Sequence, residues 1–383
     1  MKTHQILIKG VADCASALAP LRALQPDLVL VFGAVEFFST NHLATLLAEL
    51  VPAAVVAGCS TAGEIAVDRV YDHTCVVTAI NFAHTPLACC STLIAGMSDS
   101  GGAGQRLAAL LPHQDLSAVL LLGTGVAING SALVAGLQAG LPGGVSISGG
   151  LAADGGAFKQ TWTLGPDGSA DNRIVAVGLY GEHVRTAYGS SAGWQPFGPA
   201  RKVTRCADNV LYELDGKRAL DIYKAYLGDY ARDLPGSGLL FPFEMLGAEH
   251  QKSGIFRTIL GINEEDGSLT LAGDIDPDGY LKLMHSSTEK LIEGAETAAS
   301  IAASAIHPDS GDSLAILISC VGRKLVMGER IDEEVEAVAA LMRANSTVTG
   351  FYSNGEIAAS EFHGDCRLHN QTMTITWLSE AGQ

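Results

Sequence analysis

Val55-Val56-Ala57-Gly58-Cys59-Ser60-Thr61-Ala62-Gly63-Glu64-Ile65-Ala66 and Thr347-Val348-Thr349-Gly350-Phe351-Tyr352-Ser353-Asn354-Gly355-Glu356-Ile357-Ala358 share the pattern V-x-G-x-x-x-x-G-E-I-A without a gap. Self-similarity of this kind marks a duplicated structural unit. The flanks agree. Ahead of the first copy, Leu28–Gly33 reads as a buried strand. A helical pattern follows, with Leu43, Leu46, Leu47 and Leu50 on one face and Asn41 as the candidate N-cap. Cys75–Ile80 closes the unit as another strand. The second copy runs in the same order: strand Leu314–Ile318, amphipathic helix Ile331–Met342, loop, and closing strand Thr372–Trp377. That helix opens on Asp332-Glu333-Glu334, which suits the positive end of the helix dipole.

A third, more diverged copy lies between them. It has a strand at Ala118–Leu122, a short helix at Ser131–Leu141 and a glycine loop at Val145–Gly156, with Asp154 near the place of the glutamates. Strands Thr161–Leu164 and Ile174–Leu179 follow, around a turn at Pro166-Asp167-Gly168. The expected fold is α/β: repeated strand–helix–strand–Gly-loop–strand units forming two pseudo-symmetric domains. The boundary falls after Gln195-Pro196-Phe197-Gly198-Pro199, giving domains 1–200 and 201–383. From about Ala200 to 308 the pattern differs. Helices are expected over Ala219–Leu227 and Ser287–Ile306, a loop at Pro235–Gly238, and a hairpin of Phe256–Ile262 with Ser268–Leu271 around Glu265-Asp266-Gly267.

Mean hydropathy is +0.24 and charged residues are only 17%, so large buried sheets and helices are expected. No run reaches the roughly 18 to 20 apolar residues of a membrane span, and no signal-peptide core follows Met1. These features predict a soluble cytoplasmic protein. The net charge of −17 disfavours nucleic acid or an anionic membrane as partner, since either needs a basic stripe. Eight cysteines without a C-x-x-C pair fit free thiols in a reducing compartment.

Glycines after a strand let backbone N–H groups approach a ligand. The loops Gly58–Glu64 and Gly350–Glu356 are therefore candidate walls of a ligand site, or simply turns. Neither is a P-loop or a Rossmann fingerprint, and Ser148-Gly149-Gly150 is no nucleophile elbow. Gly58, Cys59, Gly63, Glu64, Asp154, Arg257, Tyr352, Asn354 and Glu356 form the candidate lining. Cys59 is a candidate nucleophile, although its counterpart is Phe351 and a packed thiol is the plainer reading. Arg257 could take an anion or pair with an acid, and Tyr352 and Asn354 could bond a ligand or their own loop. Eleven histidines include no H-x-x-x-H or H-x-H pair, which disfavours zinc. One axial ligand suffices for haem; His73, His285 and His369 are the candidates, although a hydrogen-bonded structural histidine is the plainer reading of each taken singly.

The three loops, together with Leu368-His369-Asn370-Gln371-Thr372-Met373-Thr374 and Asn209-Val210-Leu211-Tyr212-Glu213-Leu214-Asp215-Gly216, resemble the FIST family over nearly the whole chain. The resemblance implies an intracellular signal-input module with paired N- and C-terminal domains, binding a small ligand such as an amino acid. One branch, the NosP proteins, binds haem to sense nitric oxide and acts on a histidine kinase or a cyclic-di-GMP enzyme. This sequence carries no recognisable kinase or cyclase segment, so signalling would pass to a separate partner; self-association is left open. Two alternatives stand beside the sensor: a cysteine-dependent enzyme using Cys59, and a scaffold that binds only protein.

Overall fold

The computed structural model describes residues 1–306, 311–359 and 365–381. The first unit contains β1 (Lys2–Ile8), β2 (Leu28–Gly33), β3 (Val55–Ser60), the short hairpin β4 (Glu64–Ala66) and β5 (Arg69–Tyr71), and β6 (Cys75–Asn81). Helices α1 (Cys14–Leu18) and α2 (Leu21–Leu24) precede β2, and α3 (His42–Leu50) carries the chain from β2 to β3. The second unit has β7 (Leu87–Leu93), α4 (Ser100–Leu110), β8 (Leu116–Gly123), α5 (Gly130–Gly140) and β9 (Ser146–Leu151). Its hairpin is β10 (Thr163–Gly165) with β11 (Gly168–Ala170), and β12 (Arg173–Tyr180) closes it.

The third unit opens with β13 (Val184–Ser191) and is interrupted by an insert. The insert holds β14 (Gln195–Ala207), β15 (Val210–Leu214), β16 (Lys217–Arg218), α6 (Ala219–Leu227), β17 (Phe243–Leu246), β18 (Lys252–Arg257), β19 (Ile259–Asn263), β20 (Ser268–Leu271) and β21 (Tyr280–His285). The unit resumes with α7 (Thr288–Ser304), β22 (Ser313–Cys320), α8 (Val321–Met327), α9 (Asp332–Leu341) and β23 (Ser346–Ser353). Its hairpin is β24 (Gly355–Ala359) with β25 (Cys366–His369), and β26 (Met373–Glu380) is last.

Each unit's sheet has one order: first strand, last strand, central strand, third strand, then a hairpin taken from another unit. The three sheets read β1-β6-β2-β3-β10-β11, β7-β12-β8-β9-β24-β25 and β13-β26-β22-β23-β4-β5. The hairpins are thus exchanged cyclically: second unit to first sheet, third to second, first to third. The central and third strands are parallel in every unit, because a helix returns the chain between them. The 200/201 position lies inside β14, and two of the three sheets combine strands from both sides of it.

Alternation in the central strands sorts the core. Leu28, Leu30 and Phe32 face inward with Ala118, Leu120, Leu122 and with Leu314, Ile316, Ile318, forming one apolar centre shared by all three sheets. Val29 and Val31 face outward under α1 and α3; Val119 and Leu121 face α4 and α5; Ala315 and Leu317 face α7 and α9. Gly58, Gly149 and Gly350 occupy the same point of the third strand, opposite Val31, Leu121 and Leu317. A Cβ there would stand 2.1, 1.8 and 1.8 Å from the facing carbonyl oxygen, so only glycine lets the strand bend away towards its hairpin.

Three sequence expectations are adjusted. Asn41 precedes α3 but does not cap it: it sits at φ 53°, and its Oδ1 accepts from Ser169 N (2.6 Å). Phe256 belongs to β18, paired with Glu244, and the hairpin begins only at Ile259. The 195–285 region, expected to open the second domain, stands between β13 and α7 of the third unit. Among the described residues no helix is long and apolar enough to cross a membrane.

Candidate ligand cavity at the glycine-glutamate loop

The duplicated motif builds the same cage twice. Glu64 is buried; its Oε1 meets Thr61 Oγ1, and its Oε2 accepts from Thr74 N (3.2 Å) and Thr74 Oγ1 (2.7 Å). Glu356 repeats this with Ser353 Oγ (2.7 Å), Thr372 N (3.1 Å) and Thr372 Oγ1 (2.9 Å). Gly63 N and Gly355 N each donate to the hydroxyl three residues before the acid. Burial is the main influence on both acids and pushes each from 4.5 up to about 7, against the opposing pull of these hydrogen bonds. Arg173 stands in the second unit where the others have Thr74 and Thr372. Asp154 there caps a longer loop, accepting from Phe158, Lys159 and Gln160 N–H, and the cage is lost.

The two cages differ in what covers them. Glu64 borders a cavity of about 650 Å³, with Gly63, Asp154 and His73, four residues singled out from sequence. Glu36 and Asp72 also line it, and α8 of the third unit supplies Lys324. Lys324 Nζ donates to Ala62 O (2.8 Å), pairs with Asp72 and lies 5.8 Å from the Tyr352 ring centroid. His73, at φ 58°, is 86% exposed and 3.7 Å from Glu36. Its counterpart Gln371, at φ 64°, is wholly buried, because the insert closes over it: its amide donates to Leu239 O (2.9 Å) and Thr258 Oγ1 (3.1 Å). Glu356 is sealed with it.

The neighbour of Lys324 carries a feature that sequence reading missed. Arg323 and Glu334 are both fully buried and pair at 2.6 Å. Glu334 also accepts from Ser319 Oγ (3.1 Å) and Tyr352 Oη (2.5 Å). Arg323 donates to Ala192 O and Leu291 O, just outside the two ends of the insert. No residue spacing announces this pair.

The remaining predicted residues disperse. Gly58 serves the strand bend described above. Cys59 shares its position with Gly150 and Phe351 in the apolar centre, and burial drives its thiol far above the usual range. The Phe351 ring lies 4.7 Å from that of Phe32, filling space that small partners at 59 and 150 leave. This environment opposes the thiolate that catalysis by Cys59 would need. Tyr352 is committed to Glu334, and Asn354 Nδ2 donates to Gly125 O (3.3 Å). Arg257 lies apart, at the end of β18 within the insert.

The three candidate histidines lie in different places. His73 lies beside Glu36, Asp72, Asp154 and Lys324, in a cavity whose walls also carry Val35, Val321 and Leu325. His285 packs edge-on to Phe197, centroids 5.6 Å apart. His369 is buried, its Nε2 3.2 Å from Ala358 O and its Nδ1 without a partner among the described residues; burial pulls it down to about 4. Its cavity is about 260 Å³ and carries Glu244 and Lys252. That volume is under the roughly 300 to 1,000 Å³ usual even for smaller ligands, so the His369 cavity does not fit haem.

Comparison with known proteins gives two family matches: the FIST N domain over residues 27–217 and the FIST C domain over residues 219–359. No curated protein matches. Among solved structures, cyanuric acid hydrolase from A. caulinodans is similar at 10% identity and a TM-score of 0.40, covering 100% of this chain and 99% of that one. A second structure, titled as cyanuric acid hydrolase formed by structural concatenation, reaches 11% and 0.34, covering 99% of each chain. At such scores the fold description rests on the chain's own sheets.

Proposed function

The chain belongs to the FIST family, whose domains are small-ligand sensors in signalling, and on that premise we propose that its ligand sits in the Glu64 cavity and that the insert reports its presence. The observation that carries this reading is the convergence of Gly63, Glu64, His73 and Asp154 on one cavity walled by all three units. Its chemistry favours a small zwitterion such as an amino acid. Glu36 and Asp72 offer acceptors to an ammonium group, and Lys324 offers one cation to a carboxylate. Glu64, held near about 7, can meet a donor as carboxylate or an acceptor as acid.

A route from cavity to insert runs through α8. Lys324 faces the cavity, while Arg323 beside it holds the backbone at Ala192 and Leu291, where the insert leaves and rejoins the third unit. A ligand that draws Lys324 from Asp72 shifts α8 and alters this hold. The receiving partner is a separate signalling protein, a histidine kinase or a cyclic-di-GMP enzyme. Haem is not part of the proposal: the His369 cavity is too small for it, and charged groups share the walls of the Glu64 cavity. Nor is catalysis, since Cys59 is sealed in the core.

The test is a thermal-shift screen of amino acids and small amines, followed by calorimetry. A ligand at 100 times its Kd should stabilise the fold by about 2.7 kcal/mol. Lys324→Gln should weaken it severalfold, and hydrogen exchange in 195–285 should change on binding. Equal affinity in the variant, or no ligand in the screen, would reject this site.

A further inference from the structure

Arg257 ends β18 and is only 4% exposed. Its Nε–H donates to Asp274 O (2.9 Å), Nη1 to Phe256 O (3.1 Å) and Leu368 O (3.3 Å), and Nη2 to Ser131 Oγ (3.3 Å). A guanidinium has five N–H donors. Four are used, all on neutral oxygens, and one on Nη2 is left. Among the described residues no carboxylate stands within ion-pair distance. A buried charge without a counter-charge is costly, and native proteins rarely leave one so. Burial, opposed by the attraction of Asp274 and helped by the repulsion of Arg367, pulls the group down to about 10.

Arg257 borders a cavity of about 380 Å³ between α5, β25 and the insert. A second cation, Arg367, lines it and makes no hydrogen bond or ion pair to described residues. Ser131 and Gln138 add polar groups from one face of α5, roughly 10 Å apart along the helix. Gly273, at φ 124°, keeps the Arg257–Ser131 corner open: a Cβ there would stand 2.8 Å from Ser131 Oγ and 3.0 Å from Arg257 Cζ. Acids also line the cavity, but two are engaged. Asp274 Oδ1 accepts from Asn129 Nδ2 (2.7 Å), and Asp276 Oδ1 from Asp278 N (2.9 Å). Asp365 is exposed, at the mouth.

We infer that this cavity is a second ligand site, for a small oxyanion whose carboxylate or phosphate seats on Arg257 and Arg367, with hydroxyl groups turned to Ser131, Gln138 and the outer acids. It is independent of the Glu64 cavity. Because its walls come from the second unit, the exchanged hairpin and the insert, a bound anion ties the insert to the body.

Isothermal titration of the full chain with inorganic phosphate and with malate tests it. One saturable site is expected. Arg367→Gln, whose side chain bonds none of the described residues, should weaken binding roughly tenfold or more, the worth of a charge-assisted bond. Arg257→Lys should weaken it further if it folds, and Glu64→Gln should leave it unchanged. Binding of phosphate alone assigns a phosphorylated or inorganic ligand, and of malate alone a hydroxy acid. Binding of neither up to about 10 mM, or Arg367→Gln binding as the parent does, overturns the inference.

Discussion

Replacing Glu64 by Gln isolates the energetics of the duplicated cage. The acid stands near 4.5 when the chain is unfolded and at about 7 when folded, so the folded state holds the proton more tightly between those values. Stability from this group is full below about pH 4.5 and falls as pH rises to 7. A shift of about 2.5 units at 1.36 kcal/mol each is worth about 3 kcal/mol. Glu356 adds a second loss of the same sign and size. His369 works the other way: pulled from 6.5 to about 4, it contributes stability that is lost as pH falls through that window. The parent's own pH curve is therefore a partial cancellation, and the difference between parent and variant is the useful quantity. Gln is close in shape, can accept from Thr74 and can donate to Thr61. Urea unfolding at pH 5, 6, 7 and 8 should show the advantage of the parent over the Glu64→Gln variant shrinking by about 3 kcal/mol towards pH 8. A difference flat to within about 0.5 kcal/mol would mean that Glu64 does not change protonation on folding, and would refute the reasoning.

Three further outcomes are expected. Arg323→Met leaves Glu334 buried without its cation and should cost about 3 to 5 kcal/mol in denaturant unfolding, much of it recovered in Arg323→Met/Glu334→Leu. Cys59 should resist an aromatic disulfide reagent until the chain unfolds, while the half-buried Cys89, Cys90 and Cys206 react first; Cys59→Ala should keep ligand binding intact. Gly350→Ala should abolish soluble expression, since its Cβ would lie 1.8 Å from Leu317 O, whereas Gly143→Ala, with open space at the Cβ, should leave the melting temperature within a degree or two.

How much of this was legible in the sequence depends on the kind of interaction. The repeat itself was, because Gly58 and Gly350 answer the same steric demand and Glu64 and Glu356 the same cage. The parallel central strands were, because their apolar runs have no polar face. Helix α4 was not: Gly101, Gly102 and Gly104 argue against a helix, yet their absence of side chains lets α4 lie against α5, where a Cβ on Gly104 would stand 2.2 Å from Leu133 O. The hairpin exchange was also hidden, since nothing local to Glu64–Tyr71 says which sheet it joins. Of the cavity's lining, Gly63, Glu64 and Asp154 were singled out as loop residues and His73 as a haem ligand, and the structure brings the four together. Lys324 and Arg323 were missed, because they come from a helix with no motif and act through distance in sequence, 262 residues from Ala62 in the case of Lys324.

The pseudo-symmetry explains why a duplicated motif yields one open cavity. Each cage needs a buried acid, which destabilises the fold at neutral pH unless something else gains from it. At Glu356 the insert covers the site, and Gln371, in the place of His73, turns its amide onto Leu239 and Thr258. That copy is a surface against which the insert packs. At Glu64 no insert intervenes, His73 stays exposed, and the neighbouring unit sends in Lys324 instead. In the second unit the acid has moved to Asp154 and been spent on its own loop, which frees that loop to form the far wall of the Glu64 cavity. The three copies thus hold three positions around one site: one supplies the acid, one the wall, and one the cation together with its connection to the insert. Retaining a costly buried acid in both remaining cages is accounted for if each is needed, one to meet the ligand and the other to seat the element that responds.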